Sequence, residues 1–203
     1  MPDSADLVLH HLIVRGRATS DQLAEATAQP PGTVESALRT LVERELVAEK
    51  GGRLPGFVPT PTGRENAAAR LHASGLRKPE AGAWYDTEFG TLNGEFKALC
   101  SAWQLREVDG RQEINDHSDA LYDQRILDRF SEFHLRAIAA LDTVGHPRLT
   151  RYGNRLVAAE AAVRAGDTRR FTAPLAESYH DIWMELHQDL LLSCQRTRTE
   201  ADA

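Results

Sequence analysis

The stretch from Leu7 to Leu71 constrains the fold more than any other part of the chain. Its apolar residues recur at helical spacing in three successive segments, and the tight turn Pro30-Pro31-Gly32 separates the second segment from the third. Two short extended runs around Gly51-Gly52 follow, and then a fourth helical segment. This order predicts three helices, a β-hairpin and a fourth helix within residues 7–72.

Boundary signals support the predicted helices. The first helix is expected over about residues 5–15, because Gly16 follows it in the position that commonly ends a helix. Thr19 and Gln22 are three residues apart and predict a reciprocal capping box at the start of the second helix. The third helix is expected from about Thr33, directly after the Pro-Pro-Gly turn.

The third helix is predicted to have one apolar and one polar face. Residues at i, i+3, i+4, i+7 and i+8 spacing form the apolar stripe, namely Val34, Ala37, Leu38, Leu41 and Val42. The opposite face carries short polar side chains and one arginine, which suit contacts with DNA phosphates and base edges. The candidate DNA contacts on this face are Thr33, Ser36, Arg39 and Thr40. The alternative interpretation is a face that is only solvated.

The predicted hairpin carries two basic residues near its tip. Lys50 and Arg53 flank the glycine pair Gly51-Gly52, where they could contact phosphate or the minor groove. Pro59 and Pro61 are expected to end the second strand before the fourth helix begins.

The segment from Leu46 through the hairpin to Pro59-Thr60-Pro61-Thr62-Gly63-Arg64-Glu65 closely resembles the wing and following helix of MarR-like and related winged-helix regulators. Residues 32–42 resemble their recognition helix. The resemblance covers residues 7–72 and implies a winged helix-turn-helix domain that binds double-stranded DNA. It also implies a transcriptional regulator that acts as a homodimer. Helices that flank the domain form the dimer in MarR-like proteins, and in this chain only the C-terminal part could supply them.

The charge balance limits the kind of DNA binding to expect. The chain has a net charge of −6, and residues 33–64 hold five basic and four acidic side chains. A protein that coats DNA without specificity is basic, so that class is excluded. The near-neutral charge around the third helix keeps a second interpretation open, in which the N-terminal domain binds a protein partner and no DNA.

The remainder of the chain predicts an α-helical bundle. Residues 73–82 are rich in Gly, Pro and small residues and are expected to be a linker between a domain at 1–72 and a domain at 83–203. Four substantial helices and no strand are expected in the second domain. A polar loop is predicted at 107–118, a helix follows at 119–141, and Pro147 and Pro174 are expected to open the last two helices. The predicted fold class is therefore mainly α, with a small β wing in the first domain.

Polar and aromatic residues on the apolar helix faces allow three interpretations. They are hydrogen-bonded core residues, or they line a pocket for a small-molecule effector, or some of them bind a divalent metal. The predicted ligand-binding residues are Trp103, Arg106, Asn115, His117, Tyr122, Tyr179, His180, Trp183 and His187. The candidate metal ligands are His117, Asp119, His134, His180 and His187, and no pair of them has a tight helical ligand spacing. We expect no bound cofactor.

Other function classes lack their sequence signals. There is no phosphate-binding loop, nucleophile elbow or HExxH motif, so we expect the protein not to be an enzyme. No run of apolar residues is long enough to span a membrane, and the N-terminus lacks a basic segment followed by an apolar core. The two cysteines do not form a CxxC pair. A cytoplasmic location is therefore expected.

Overall fold

The computed structural model describes residues 3–74, 78–108 and 110–196, and the chain divides into two compact units. The first unit comprises residues 1–78 together with 187–203, and the second comprises residues 79–186. Most residues are helical, and the prediction of a mainly helical chain with a small antiparallel sheet is confirmed. Each helix among the described residues is too short or too polar to traverse a lipid bilayer.

The first unit contains the predicted succession of elements. Its described helices and strands before residue 75 are α1 (Ser4–Arg15), α2 (Ser20–Thr27), α3 (Pro31–Glu43), β1 (Val47–Lys50), β2 (Gly56–Pro59) and α4 (Pro61–Ser74). The boundary signals act as expected. Gly16 ends α1 with φ 80°, and the capping box of α2 forms with Thr19 N–H donating to Gln22 Oε1 at 3.0 Å and Gln22 N–H donating to Thr19 Oγ1 at 3.3 Å.

The core of the first unit includes the inner faces of α1 and α3. Its most deeply buried side chains include Val8, Leu9, Leu12, Leu23, Val34, Leu38 and Leu41. The predicted apolar stripe of α3 is confirmed at Val34, Ala37, Leu38 and Leu41 and is wrong at Val42, which is 38% exposed. Val42 lies at the edge of the stripe and faces a groove beside the hairpin.

The hairpin is joined to the chain between α1 and α2. Strands β1 and β2 pair antiparallel from Val47–Pro59 to Lys50–Gly56, and Phe57 forms a further bridge with Ala18 through hydrogen bonds of 2.8 and 3.2 Å. Gly56 has φ 140°, and a Cβ at this position would lie 2.8 Å from the carbonyl oxygen of Ala18. Only glycine permits this approach without strain.

In the second unit an N-terminal helical segment precedes a hairpin and four further helices. Its elements are α5 (Lys78–Trp84), a π-helical segment (Tyr85–Phe89), α6 (Gly90–Gln104), β3 (Leu105–Val108), β4 (Arg111–Ile114), α7 (Ala120–Val144), α8 (Pro147–Arg164), α9 (Arg169–Thr172) and the first half of α10 (Tyr179–Cys194). From His187 onward α10 belongs to the first unit. There the buried Asp189 accepts a hydrogen bond at 2.9 Å from the His10 ring of α1.

Three details differ from the sequence-based expectation. Most of the hairpin β3–β4 lies within the predicted polar loop at 107–118, where no strand was expected. The last helix begins at Tyr179 and not at Pro174, because the Ser178 hydroxyl accepts the Asp181 N–H at 3.2 Å and so caps the helix there. Of the predicted linker, residues 73–74 and 78–82 are helical, and residues 75–77 lie outside the described residues.

Helix α4 approaches the turn after α3 very closely. A Cβ on Gly63 would overlap the carbonyl oxygen of Leu46 and lie 2.9 Å from its carbonyl carbon. Thr60 supports this contact, since its N–H donates to the Leu46 carbonyl at 3.0 Å and its hydroxyl donates to the Glu45 carbonyl at 2.7 Å. The same hydroxyl accepts the Gly63 N–H at 3.0 Å, which starts the helix.

We therefore expect Gly63→Ala to lower the free energy of unfolding by about 2 kcal/mol or more, since backbone must shift to relieve the overlap. The control is Gly32→Ala on α3, where a Cβ would meet no atom within 4 Å and where φ is not positive. Alanine favours helices over glycine by up to about 1 kcal/mol, so this control is expected to be neutral or stabilising. Urea denaturation measures both variants. Equal stability of the two would contradict the proposed backbone contact.

Candidate functional site

The predicted DNA contacts on α3 all lie on its exposed side. Thr33, Ser36, Arg39 and Thr40 are exposed, whereas the opposite face of the helix is buried. No side chain caps the helix start, where Pro31 occupies the first turn and Pro30 precedes it. Helix α3 therefore presents a continuous polar surface, as the sequence predicts.

This polar surface divides into two flanks. On one flank Thr33, Ser36 and Thr40 line a shallow groove together with Asp3 and Ser4 at the start of α1. This groove is rich in hydroxyl groups. Its one carboxylate, that of Asp3, accepts the Ala5 N–H at 3.4 Å at the start of α1.

On the other flank Arg39 lines a groove between α3 and the β1–β2 hairpin. The floor of this groove is apolar, and its rim carries more carboxylates than cations. It is lined by Ser20, Glu35, Leu38, Arg39, Val42, Glu43, Glu49 and Phe57. Arg39 is therefore separated from the hydroxyl-rich flank and lies among three glutamates, an arrangement that the spacing of α3 alone did not reveal.

The hairpin tip holds the remaining predicted DNA contacts. Lys50 and Arg53 are exposed on the hairpin, and residues 51–55 form its loop. Arg17, which follows α1, donates a hydrogen bond to the carbonyl of Leu54 and so fastens this loop. Sequence reasoning missed Arg17, because no pattern in the chain relates it to a residue 37 positions away.

The second unit has an aromatic core that contains three residues predicted to bind ligand. Tyr179 and Trp183 are almost completely buried, and their rings lie 5.3 Å from that of Phe96. The indole N–H of Trp183 donates to Asn93 Oδ1 at 3.0 Å. His180 is partly exposed, and its ring lies 6.3 Å from the same phenylalanine. These side chains are packed as core residues, and His187 lies fully buried in the first unit.

The other predicted ligand-binding residues meet where β4 ends and α7 begins. The buried Asn115 uses one side-chain N–H toward the Trp103 carbonyl at 3.1 Å and one toward Asp123 Oδ1 at 2.8 Å. Both amide hydrogens are thus committed. The His117 Nδ1 atom, 3.0 Å from Asp123 Oδ2, is therefore assigned as the donor to that carboxylate.

This assignment leaves His117 Nε2 on an exposed ring that packs at a tilt against the Trp103 indole, with centroids 4.5 Å apart. His117 adopts the left-handed conformation with φ 59°, which is uncommon for residues other than glycine. Asp123 was not predicted as a site residue. Asp123 accepts a hydrogen bond from Asn115, which lies eight residues earlier, and no sequence pattern links these two positions.

Arg106 and Tyr122 border this cluster. The Arg106 guanidinium lies 3.5 Å from Asp116 Oδ1, and the Tyr122 hydroxyl donates toward the carbonyls of Ala102 and Leu105. The Ser118 hydroxyl and N–H hold the pKa of the Asp116 carboxyl below its ordinary value. The structure therefore unites Trp103, Arg106, Asn115, His117 and Tyr122, and it places Tyr179 and Trp183 in the aromatic core.

The candidate metal ligands do not converge. Asp119 caps α7 by accepting the N–H groups of Leu121 and Tyr122. Residues 3–74, 78–108 and 110–196 contain no group of three or more His, Cys, Asp or Glu side chains placed to hold a metal ion. The Nδ1 atom of His134 instead lies 3.3 Å from the hydroxyl oxygen of the buried Tyr179.

The comparisons with known proteins provide no relative. No protein-family model matches the chain, and neither the curated proteins nor the solved structures contain a match. The function must therefore be argued from the residues themselves.

His134 makes the stability of the second unit depend on pH. Burial lowers the pKa of His134 below its ordinary value, although the nearby Glu160 carboxylate opposes this effect. The unfolded chain consequently binds the proton more readily than the folded chain. The stabilisation is complete above the unfolded pKa of about 6.5 and decreases as the pH falls through and below this value.

We expect the free energy of unfolding to decrease more steeply in the wild type than in His134→Gln between about pH 7.5 and about pH 5.5. One titrating group changes the slope by at most about 1.4 kcal/mol per pH unit. Glutamine retains a polar group that can reach the Tyr179 hydroxyl. The control is His180→Gln on the partly exposed face of α10. Parallel pH profiles of the wild type and His134→Gln would contradict the assignment.

Proposed function

We propose that the chain is a transcriptional regulator whose first unit is a winged helix-turn-helix and binds double-stranded DNA as a homodimer. The succession α1–α2–α3–β1–β2–α4 and the resemblance of residues 7–72 to MarR-like regulators support this proposal. The single observation that carries it is the exposed polar face of α3. Its three hydroxyl residues Thr33, Ser36 and Thr40 lie on one flank. Arg39, the one basic residue of α3, lies on the other flank.

The hydroxyl-rich flank suits a helix that enters the major groove. Short hydroxyl side chains allow close approach and can hydrogen-bond to base edges or to phosphate oxygens. The groove beside it has one carboxylate, and that carboxylate already accepts an N–H at the start of α1. This flank therefore offers donors to DNA with little repulsion.

The hairpin supports a second set of DNA contacts. Lys50 and Arg53 are exposed, and the loop between the strands is held by Arg17. A tethered loop loses less conformational freedom when it binds phosphate than an untethered loop does. Two cations on the hairpin and one on α3 give three candidate phosphate contacts per protein copy.

In this function the second unit carries the homodimer surface and also binds a small-molecule effector. The supporting feature is the group of Trp103, Arg106, Asn115 and His117, in which a polar ring edge and a guanidinium lie near the surface. The buried Tyr179 and Trp183 are not part of this proposed effector site.

A second candidate function is favoured by the groove between α3 and the hairpin. Its apolar floor and its three glutamates suit a basic, amphipathic segment of a protein partner better than they suit DNA. In this alternative the first unit is a protein-interaction module that binds no DNA.

The test is binding to sheared genomic DNA, with sequencing of the retained fragments and titration of the best fragment at several salt concentrations. Six phosphate contacts in a dimer predict a slope of about −5 for log affinity against log salt. Arg39→Ala removes two of these contacts, and we expect it to weaken binding at least about tenfold and to reduce the slope by about 2.

The matched control is Arg129→Ala, which removes an exposed arginine from α7 in the second unit. It is expected to leave both affinity and slope unchanged. Failure of the folded wild type to enrich any fragment would refute DNA binding and favour the protein-interaction module. If Arg39→Ala enriches the same fragments with unchanged affinity, only the contact assigned to Arg39 is refuted, and DNA binding by the first unit stands.

A further inference from the structure

The hairpin β3–β4 presents an exposed strand edge. Among the described residues β4 is hydrogen-bonded to a single strand, β3, and all four of its residues are exposed. Ile114 at the end of β4 is 80% exposed, although isoleucine is commonly buried. A strand edge of this kind is a template for pairing with another chain.

The backbone groups on the outer edge of β4 can be identified from the ladder. The Asn115 N–H donates to the Gln104 carbonyl at 2.8 Å, and Leu105 lies opposite Ile114. Because hydrogen-bonded and non-hydrogen-bonded pairs alternate along an antiparallel ladder, every second residue before Asn115 also turns its backbone groups toward β3. The N–H and C=O groups of Gln112 and Ile114 therefore point away from β3.

The charges on β4 select the chain that can pair with this edge. Arg111 and Glu113 flank Gln112, and neither side chain forms an ion pair with a residue that the structure describes. We infer that the outer edge of β4 pairs antiparallel with the same edge of a second copy, with Gln112 opposite the partner's Gln112. This register places Arg111 opposite the partner's Glu113 and, by symmetry, Glu113 opposite the partner's Arg111.

Neighbouring two-fold registers are disfavoured. Centring the pair on Arg111 or on Glu113 places like charges directly opposite each other, which destabilises a sheet. Centring it between Gln112 and Glu113 joins an outward-facing backbone with an inward-facing one, so the ladder hydrogen bonds cannot form. In the preferred register the exposed Ile114 comes opposite the partner's Gly110, whose lack of a side chain leaves it room.

A second copy fits this edge better than an unrelated strand does. Any extended peptide could satisfy the backbone groups of Gln112, but reciprocal ion pairs about a two-fold axis arise only from self-pairing. The inference deepens the proposed function, on which it rests for its biological meaning, because it names the surface that joins the homodimer. Since four residues form a small contact, we expect reversible, concentration-dependent association.

The first test is sedimentation equilibrium of the full chain without DNA. Gln112→Pro removes the outward N–H and leaves the bonds between β3 and β4 in place, because proline is tolerated where a strand faces solvent. The loss of the two central hydrogen bonds is expected to weaken self-association about tenfold or more. The matched control Gln112→Thr keeps the N–H and is expected to associate like the wild type.

The second test exchanges charges and does not depend on how well proline is accommodated. Arg111→Glu and Glu113→Arg, made separately, each place like charges opposite each other in a homodimer and are expected to be monomeric. An equimolar mixture restores two opposite-charge pairs, so the mixture is expected to associate. Association of the mixture but of neither variant alone supports the register.

Three results would overturn the inference. They are a wild type that stays monomeric at its highest soluble concentration, a Gln112→Pro variant that associates as tightly as the wild type, and charge variants that show no preference for the mixture. The last two results leave the DNA-binding proposal untouched, because association is measured without DNA. A monomeric wild type would contradict its homodimer but not the contacts of α3 and the first hairpin with DNA, which the fragment-binding experiment tests separately. Conversely, a protein that dimerises through β4 but enriches no DNA fragment would overturn only the DNA-binding proposal.

Discussion

The close contact between Gly63 and the Leu46 carbonyl determines where the first hairpin lies. Thr60 adds hydrogen bonds to the carbonyls of Glu45 and Leu46, so the two ends of the hairpin are fixed to each other regardless of its loop. The bridge between Phe57 and Ala18 then joins the hairpin to the chain that precedes α2. Helix α3 ends just before Glu45 and Leu46, the residues that Thr60 binds. Because the core of the first unit holds the apolar face of α3, the polar face of this helix points outward.

The second unit is held by an aromatic core in which the polar atoms of Trp183 and Tyr179 have partners. Trp183 is satisfied by Asn93, and the Tyr179 hydroxyl lies against His134. On α8 the mostly buried Arg155 bonds to Glu177 and Glu185. Burial by itself would lower the pKa of Arg155, but the two carboxylates together outweigh this effect and raise it. Removing one partner of such a buried charge costs about 3–5 kcal/mol, so the pairing fixes the relation of α8 to the chain around residues 177–185.

The sequence predicts the first unit better than the second because its signals are local. A capping box spans four residues and a glycine turn spans two, so Thr19, Gln22 and Gly51-Gly52 could be interpreted without knowledge of the fold. The hairpin β3–β4 was missed, although Asp109-Gly110 favours a turn, because its strands have four residues each and β4 is exposed and polar except for Ile114. The hydrogen bonds of Asn115 hold the end of this hairpin to α6 and α7 and join residues 12 and 8 positions apart, so no local pattern reveals them.

The aromatic residues of α10 illustrate a different limit. A stripe of Tyr179 and Trp183 on one helix side is the same pattern whether it faces a ligand or packed side chains, and only burial distinguishes the two. The cluster around His117 was predicted in part, since Trp103, Asn115 and His117 were all named. Asp123 was not, because a carboxylate on the first turns of a helix more commonly interacts with the helix dipole.

The distribution of charge around α3 limits how DNA could lie on the first unit. Glu35, Glu43 and Glu49 share a groove with Arg39, so phosphates are repelled from the groove between α3 and the hairpin. Screening at physiological salt acts over about 8 Å, so the repulsion is confined to this flank and does not extend across the helix. A DNA duplex bound to α3 would therefore set most of its phosphates against the hydroxyl-rich flank. Arg39 would reach past the glutamates to a phosphate at the rim of their groove, and the cations of the hairpin tip would meet the DNA backbone farther along.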